Sequence, residues 1–319
     1  NLAEDGSRYG TQKVLVKMTT GTYKGKEKQA INPSGTLFGA DCKVGARIIV
    51  IVNKSGTNTG FTVYSQDRTM AIYGFALIFA AVVCAIGGKK GVYAILSLVF
   101  AFACIIGIMF PMMYRGISPI VLTIIVAVLT TIVTLGLLGG YSSKTVSAIL
   151  GTAIGVVIAA VAAMAFGKAA GITGYNVSDI EALNYVGQNT KIKIGELLFA
   201  GIIISALGAV MDVGMSIAST IQEIYETDKT LSMKRLFVSG INVGRDMMGT
   251  MTNTLIFAYV GGAMTTLVIN YAYDLSYRQL ANSYVIGIEI MQGLSGSLGV
   301  VLTVPITALI ASFLAVRKK

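Results

Sequence analysis

Apolar runs of similar length follow one another from residue 70 to the C-terminal end of the chain, with short polar segments between them. Each run is long enough to cross the apolar core of a bilayer, for which a helix needs about 20 residues. Between the fifth and sixth runs, residues 227–230 predict a break, and Ser232 is placed to cap the helix that follows. The last run exceeds what a straight span needs, so we expect it to tilt, or to break near residues 293–297. The pattern predicts seven membrane spans: Met70–Ile86, Gly91–Met112, Ile117–Leu138, Thr145–Phe166, Ile194–Ala218, Met248–Ile269 and Ser283–Val316.

Residues 1–69 have a different pattern, polar and rich in lysine, threonine and glycine. Short β-prone runs at Gln12–Met18, Ala46–Asn53 and Gly60–Ser65 predict strands, separated by turns rich in glycine, asparagine and proline. About five short strands over this length are typical of a small β-barrel or sandwich. We therefore predict an α-helical polytopic membrane protein of about seven spans, residues 70–319, preceded by a small N-terminal all-β domain.

The fifth span carries a carboxylate within a face of small and polar residues. Positions at steps of three or four lie on one side of a helix. Here these positions are Gly201, Ser205, Gly208, Asp212, Ser216 and Ser219. A charge at membrane depth is costly and normally faces protein or water rather than lipid. Asp212 is therefore our first candidate for a functional site.

The sixth and seventh spans carry similar faces. On the sixth they are Asp246, Thr250, Asn253 and Phe257, with Arg245 beside them; on the seventh they are Glu289, Gln292, Gly293, Gly296, Thr303 and Thr307. The first four spans contain almost no ionisable residue, so we expect the three faces to meet in one place. A polar file from Glu289 past Gln292 and Asn253 to Asp212 would suit the movement of a proton or a monovalent cation.

Plainer interpretations remain open for the same residues. Asp212 could pair with Arg245 as an ion pair between helices, and Glu289 could lie among the lipid headgroups without a function. The glycine and serine stripes could serve helix packing alone, because small residues let helix backbones approach closely in lipid.

Composition supports the membrane class and removes several enzyme classes. Mean hydropathy is +0.74 and only 13% of residues are charged, whereas soluble domains average about 25%. The sequence contains no histidine and no Walker A motif, which argues against histidine-dependent catalysis and against ATP hydrolysis. The three cysteines are scattered and give no metal or disulfide spacing. We therefore expect neither an enzyme nor a metal or other cofactor.

The net charge of +10 fits membrane topology better than nucleic-acid binding, because the basic residues are scattered and form no basic–aromatic patch. With the N-terminal domain outside, the inner connections hold ten basic residues and the outer connections five. This excess predicts a cytoplasmic C-terminus and an extracytoplasmic N-terminal domain. The expected partners are the lipid bilayer and either a second copy of the chain or a related membrane subunit.

Three blocks of the chain resemble the bacterial YibE/F family of multi-span membrane proteins. The blocks are Ser205–Gly208 running into VMDVGMSIAS at Val210–Ser219, SGINVGRDMMGTMTNTLIFAYVG at Ser239–Gly261, and GLSGSLGVVLTVPITALIA at Gly293–Ala311. The resemblance implies a further membrane anchor upstream of the first residue, and eight spans in all. It implies no substrate, since the biochemical function of that family is unassigned.

A fainter similarity links MDVGMSIASTIQEIYE and TMTNTLIFAYVGG to helices of the SecD/SecF and RND transporters. It implies that Asp212 corresponds to a proton-carrying aspartate, although the large periplasmic domains of those transporters are missing. These observations together predict an ion-coupled secondary transporter or permease, with Asp212 as the ion-carrying group. The alternative is a non-transporting membrane scaffold whose β-domain binds a partner or an envelope component.

Overall fold

The structure is a computed structural model of the 319-residue chain. It describes residues 10–33, 40, 42–55, 58–177 and 179–317. The chain divides into two compact units, Asn1–Val82 and Val83–Lys319. The predicted division after residue 69 stays a prediction.

The first unit contains a four-stranded sheet in the described part of the chain, where the sequence predicts about five strands. Strand order is β1-β2-β4-β3, so β1 and β3 are the two edges. The outer pairs β1/β2 and β3/β4 are antiparallel, and β2 pairs with β4 in parallel. The strands are β1 (Gln12–Lys17), β2 (Glu27–Asn32), β3 (Ile48–Ser55) and β4 (Asn58–Gln66).

Alternation of side chains decides which face of the sheet is covered. In β1, Val14 and Val16 are half-buried, whereas Lys13, Leu15 and Lys17 between them are exposed, as the two-residue period of a strand requires. Among the apolar residues of the described strands, only Ala30 and Val63 are fully buried. The covered face therefore has a small core.

Most of the remaining described chain is helical, which confirms an α-helical protein with apolar helices and a small N-terminal sheet. A π-helical turn at Ile105–Met109 and a 3-10 turn at Ile194–Glu196 interrupt the series. The helices are α1 (Thr69–Cys104), α2 (Phe110–Tyr114), α3 (Pro119–Gly139), α4 (Ser143–Ala170), α5 (Ile180–Asn189), α6 (Leu197–Thr227), α7 (Met233–Gly262), α8 (Met264–Ala272), α9 (Tyr277–Ala281) and α10 (Tyr284–Arg317).

Helix α1 reverses direction at Gly88, which has φ 53° and ψ −131°. A Cβ atom added to Gly91 would lie 2.2 Å from the carbonyl oxygen of Val83. Eight residues of a straight helix span about 12 Å, so these two residues meet only because the chain doubles back. The reversal falls in the polar gap that separates the first two predicted spans.

Within the residues that the structure describes, five helical segments are long and apolar enough to cross a membrane, and a sixth is added if the bent pair α7 and α8 counts as one span. The bend between these two helices is 59° and falls at Ala263, inside the predicted sixth span. The predicted break near residues 293–297 is absent, because α10 runs without interruption to Arg317 and contains Pro305. The five segments are Thr69–Tyr114, Pro119–Gly139, Ser143–Ala170, Ile194–Thr227 and Tyr284–Arg317.

Helix α10 lies at the centre of the second unit and packs against α4, α6 and α7. Glycines allow the closest of these approaches. A Cβ atom would lie 1.9 Å from a threonine Oγ1 at both Gly151 and Gly155, and 2.9 Å from one at Gly214. We call this set the glycine–threonine seam; its pairs are Gly151 with Thr307, Gly155 with Thr303, and Gly214 with Thr152. All three threonines are fully buried.

Candidate functional site

The polar residues of α6 lie on the side of the helix that faces away from the seam. Gly201, Ser205, Gly208 and Asp212 are exposed, and Ser216 is half-buried. The opposite side of the helix is apolar and buried, at Ile203, Val210, Val213, Ile217 and Ile221. The carboxylate of Asp212 thus lies on an outer face of the helical bundle.

The polar residues of α7 are also exposed. Gly240 packs against Ile221 and Ala308, and Gly244 packs against Val304, so this side of α7 faces α6 and α10. At about 100° per residue, Asp246 and Asn253 point roughly 200° and 180° away from Gly244. The outward-facing residues are Arg245, Asp246, Gly249, Thr250 and Asn253.

Because α6 packs against α7, we treat these two outward faces together and call them the α6–α7 polar surface; its residues are Gly201, Ser205, Gly208, Asp212, Arg245, Asp246, Gly249, Thr250 and Asn253. Two contacts fix the register of the helices, since Ile221 packs on Gly240 and Ser205 bonds to Tyr259 further along. Counting inward from both contacts places Asp212 level with Thr250. The carboxylate, hydroxyl and amide groups therefore lie at one depth.

Apart from Tyr259, which bonds to Ser205, nothing in the described part of the chain covers this surface. The side chains of Asp212, Asp246 and Asn253 make no hydrogen bond or ion pair there, and Asp212 is not paired with Arg245. A Cβ atom added to Gly208 or Gly249 would meet no atom within 4 Å. The expectation that neighbouring helices of the same chain shelter Asp212 is wrong, because Asp212 lies opposite the buried side of α6 and is exposed.

Helices α6, α7 and α10 meet closer to the start of α6, although the contact from α7 is made by Tyr259 and not by the predicted polar face. Tyr259 Oη donates a hydrogen bond of 2.9 Å to Ser205 Oγ. The same side chain lies over α10, 3.7 Å from a Cβ atom at Gly293 and 3.8 Å from one at Gly296. Glu289 is near enough to interact electrostatically with Tyr259. We call this group the tyrosine cluster.

Tyr259 was not among the residues singled out from the sequence. It follows Thr252 and Leu255 at helical steps, and Leu255 is buried, so spacing assigns it to the side of α7 near α10. Gly240 and Gly244 form a G-x-x-x-G motif, which in lipid marks a close helix contact. This motif was the sequence signal for the rotation of α7.

Two other predicted residues of α10 lie apart from Asp212. Gln292 is half-buried, and its side chain makes no hydrogen bond within the residues that the structure describes. Thr303 belongs to the glycine–threonine seam, where its Oγ1 donates to the carbonyl of Gly299 at 2.7 Å. The predicted file is therefore divided into the tyrosine cluster and the α6–α7 polar surface. No group of three or more Cys, Asp or Glu side chains in the described chain is placed to hold a metal ion.

A second candidate site is a groove in the β-sheet unit, with a volume of about 1210 Å³. Both edge strands line it, which requires that the sheet curl until β1 and β3 face one space. Its walls include Val14, Val16, Val50 and Val52, which are half-buried. Its charged residues are Lys17, Lys43, Arg47, Lys54 and Asp67, an excess of positive charge.

Comparison with known proteins identifies a family for the helical part of the chain. The YibE/F-like protein family matches residues 75–317, a range that holds all three blocks of the predicted resemblance and leaves the four strands outside. No match is found among curated proteins or among solved structures. Because the matched range covers well over half of the residues, the predicted resemblance is confirmed, and the chain belongs to the family of YibE/F-like proteins.

Proposed function

We propose that this protein is an ion-coupled secondary transporter or permease, in which Asp212 binds and releases a proton or a monovalent cation. The supporting observation is a carboxylate within a helix of membrane length, level in depth with Thr250 of the neighbouring helix α7 and within about one helical turn of the depth of Asn253. A carboxylate with oxygen and amide neighbours at one depth can hold a small cation or a proton. A merely structural bundle has no use for an unpaired charge there.

The proposal includes a topology of seven spans. The reversal at Gly88 divides Thr69–Tyr114 into two spans, and the bent pair α7 and α8 forms another. The sheet then lies outside the bacterial plasma membrane and the C-terminus inside, in line with the basic residues of the connections. Asp212 lies roughly 22 Å from the outer start of α6, in the inner half of the membrane.

Each polar group has a role in the proposed route. Glu289, Gln292 and the tyrosine cluster form its outer end, where an ion would enter. Asp212, Thr250 and Asn253 form the central site. Arg245 and Asp246 lie toward the inner end, where an arginine close to a carboxylate favours release of a bound cation by repulsion.

The test is ion flux in liposomes that contain the purified full-length protein. An imposed membrane potential drives entry, and trapped dyes report protons and sodium. We expect Asp212→Asn to abolish the protein-dependent flux, because the amide cannot bind and release a proton or neutralise a cation. The matched control is Asp274→Asn, an exposed loop position at φ 49° where asparagine is well tolerated. Flux of Asp212→Asn equal to that of the unaltered protein would contradict the role of Asp212.

The groove favours a second candidate function, that of a scaffold whose sheet unit binds an extended acidic chain. An unpaired strand edge can add a further strand, with backbone hydrogen bonds for affinity and alternate side chains for specificity. Half-buried valines would take apolar side chains of such a ligand. Lys17, Arg47 and Lys54 would attract its carboxylates.

The probe for this candidate is a labelled peptide of alternating valine and glutamate, titrated against the full-length protein. We expect Lys17→Glu to weaken binding. Lys13→Glu serves as the control, because Lys13 lies on the same strand but does not line the groove. Binding that is lost with Lys17→Glu, together with no flux of protons or sodium, would favour the scaffold over the transporter.

A further inference from the structure

We infer that a second copy of this chain covers the α6–α7 polar surface and completes the site around Asp212. The role of that site in transport rests on the function proposed above, whereas the pairing of copies does not. The geometry points to a two-fold dimer whose axis is normal to the membrane. Each copy then supplies hydrogen-bond donors to the carboxylate of the other.

The first step is that lipid cannot be the neighbour of this surface. Hydrocarbon provides no hydrogen bonds, and charged side chains in spanning helices almost always face protein or a water-filled cavity. Asp212, Asp246 and Asn253 are exposed and without partners in the described chain. Some other polar surface must cover them within the membrane.

The second step is that the surface is shaped for a close helix contact. At Gly201, Gly208 and Gly249 the space beyond the backbone is open to 4 Å, so another helix can approach these backbones directly. Other exposed faces of the bundle have the opposite character. Helix α4 presents Ile154 and Val157, and α10 presents Leu298 and Leu302, which suit lipid chains.

The third step identifies the occupant. The surface has acceptors at Asp212 and Asp246 and donors at Arg245 and Asn253, so its groups can satisfy one another. The hydroxyl of Thr250 is not one of the donors, because it already donates to the carbonyl of Met247 at 2.9 Å. In a two-fold interface the same patch is used twice, and residue i meets residue j while j meets i. An axis normal to the membrane brings together residues of similar depth, so Asp212 of one copy would accept a hydrogen bond from Asn253 of the other.

A different membrane subunit would not require this balance, because it could bring all the donors itself. A surface that carried only carboxylates would have pointed to such a basic partner. The presence of both kinds of group, at matching depth on two adjacent helices, favours a second copy.

The test is cross-linking in native membranes with single cysteines. Cys42, Cys84 and Cys104 are replaced by alanine, and Gly208→Cys or Leu298→Cys is added to the full chain. We expect a short bismaleimide to join two copies at residue 208, which gives a band at twice the 33.5 kDa of the monomer. Residue 298 is 48% exposed on a lipid-type face and should give several-fold less product. Equal yields at the two positions, or a band from residue 208 that joins a different protein, would overturn the inference.

Subunit counting keeps the inference testable if a cysteine variant folds poorly. Fluorescently tagged protein in nanodiscs should bleach in two steps, and Gly208→Leu should bleach mostly in one. Helix content from circular dichroism checks that Gly208→Leu still folds, as the open space around Gly208 predicts. Single-step bleaching of the unaltered protein would overturn the dimer, while the flux of Asp212→Asn separately decides the proposed function.

Discussion

The glycine–threonine seam and the α6–α7 polar surface are built from similar residues, yet one is closed and the other open. In the seam, Gly151 and Gly155 lie so close to threonine side chains that a Cβ atom would come within 1.9 Å of an oxygen. On the polar surface, Gly208 and Gly249 have no atom within 4 Å of that position. A stripe of small residues at helical steps therefore does not by itself distinguish a packed core from a free surface.

The two regions differ in the polar groups that accompany the small residues. Hydroxyl groups suit a closed core, because a threonine can donate to a carbonyl of its own helix, as Thr303 does to Gly299. A carboxylate only accepts hydrogen bonds and so cannot donate to a carbonyl of its own helix, and a side-chain amide has donors and an acceptor to satisfy. Asp212 and Asn253 are of this second kind, and both lie on the open surface. In the dimer inferred above, their partners come from the second copy.

The largest effect should come from filling the seam. Gly155→Leu places a branched side chain where Thr303 and Val210 leave no room, since a Cβ atom alone would lie 2.8 Å from Val210. We expect a loss of about 3 kcal/mol or more in the free energy of unfolding, at the upper end of overpacking effects. Gly208→Leu is the matched control and should change the stability of the single copy little. Unfolding in mixed micelles measures both, and equal losses would show that the two regions do not differ in packing.

The next effect concerns hydroxyls in the seam that lack a partner. Thr307 is fully buried, and its Oγ1 makes no hydrogen bond in the described chain. Valine has nearly the same shape, so Thr307→Val removes an unsatisfied buried group whose cost is about 1–3 kcal/mol. We expect an increase in the free energy of unfolding of that order.

Thr303→Val is the control for this substitution, because Thr303 has a hydrogen bond to lose. It should lower the free energy of unfolding by about 0.5–1.5 kcal/mol. The two variants thus have opposite expected signs at neighbouring positions of one seam. A loss of stability in both would mean that Thr307 has a partner after all.

Much of the fold could be predicted from the sequence, because the length of an apolar run and the alternation of apolar and polar residues depend only on residues close together in the chain. The break after Thr227 and the Ser232 cap are both observed, with Ser232 Oγ accepting from the backbone nitrogen of Arg235. Helix α7 begins at Met233, about 15 residues before the predicted span. Arg235, Arg245 and Asp246 lower the local hydropathy there without interrupting the helix.

The candidate site was harder to predict, because it depends on how each helix is rotated about its axis. The polar stripe of α6 was predicted as one face, and it is one. Its neighbours could not be assigned from polarity alone, because Gly240 and Gly244 fix the rotation of α7 through contacts with Ile221, Ala308 and Val304. Those contacts join residues that are distant in the chain. The rotation of α7 that they fix leaves Asn253 on the outer side of the helix.

A smaller change in stability is expected from the tyrosine cluster, where a hydrogen bond joins α7 to α6. Tyr259→Phe removes the hydrogen bond to Ser205 and should lower the free energy of unfolding by about 0.5–1.5 kcal/mol. Ser205→Ala should cost a similar amount, and the double variant should cost less than the sum, because both remove one bond. Strict additivity in this cycle would show that the Ser205–Tyr259 bond contributes nothing.

The smallest effect lies in the turn between α6 and α7, outside the membrane-length helices. Asp228 accepts hydrogen bonds from Thr230 Oγ1 at 2.6 Å and from Thr230 N at 2.9 Å, and these bonds lower the pKa of Asp228. A carboxyl with a lowered pKa stabilises the folded turn above its unfolded pKa, and this contribution is lost as pH falls through the folded pKa. Thr230→Val removes the hydroxyl donor, so the pKa of Asp228 should rise toward its ordinary value, as carbon-13 NMR of labelled aspartate would measure.

Thr227→Val is the control, because the hydroxyl of Thr227 donates to the backbone carbonyl of Glu223 instead. An unchanged Asp228 titration in Thr230→Val would mean that the backbone bond alone holds the carboxylate, and that this turn, unlike the α6–α7 polar surface, needs no side-chain donor.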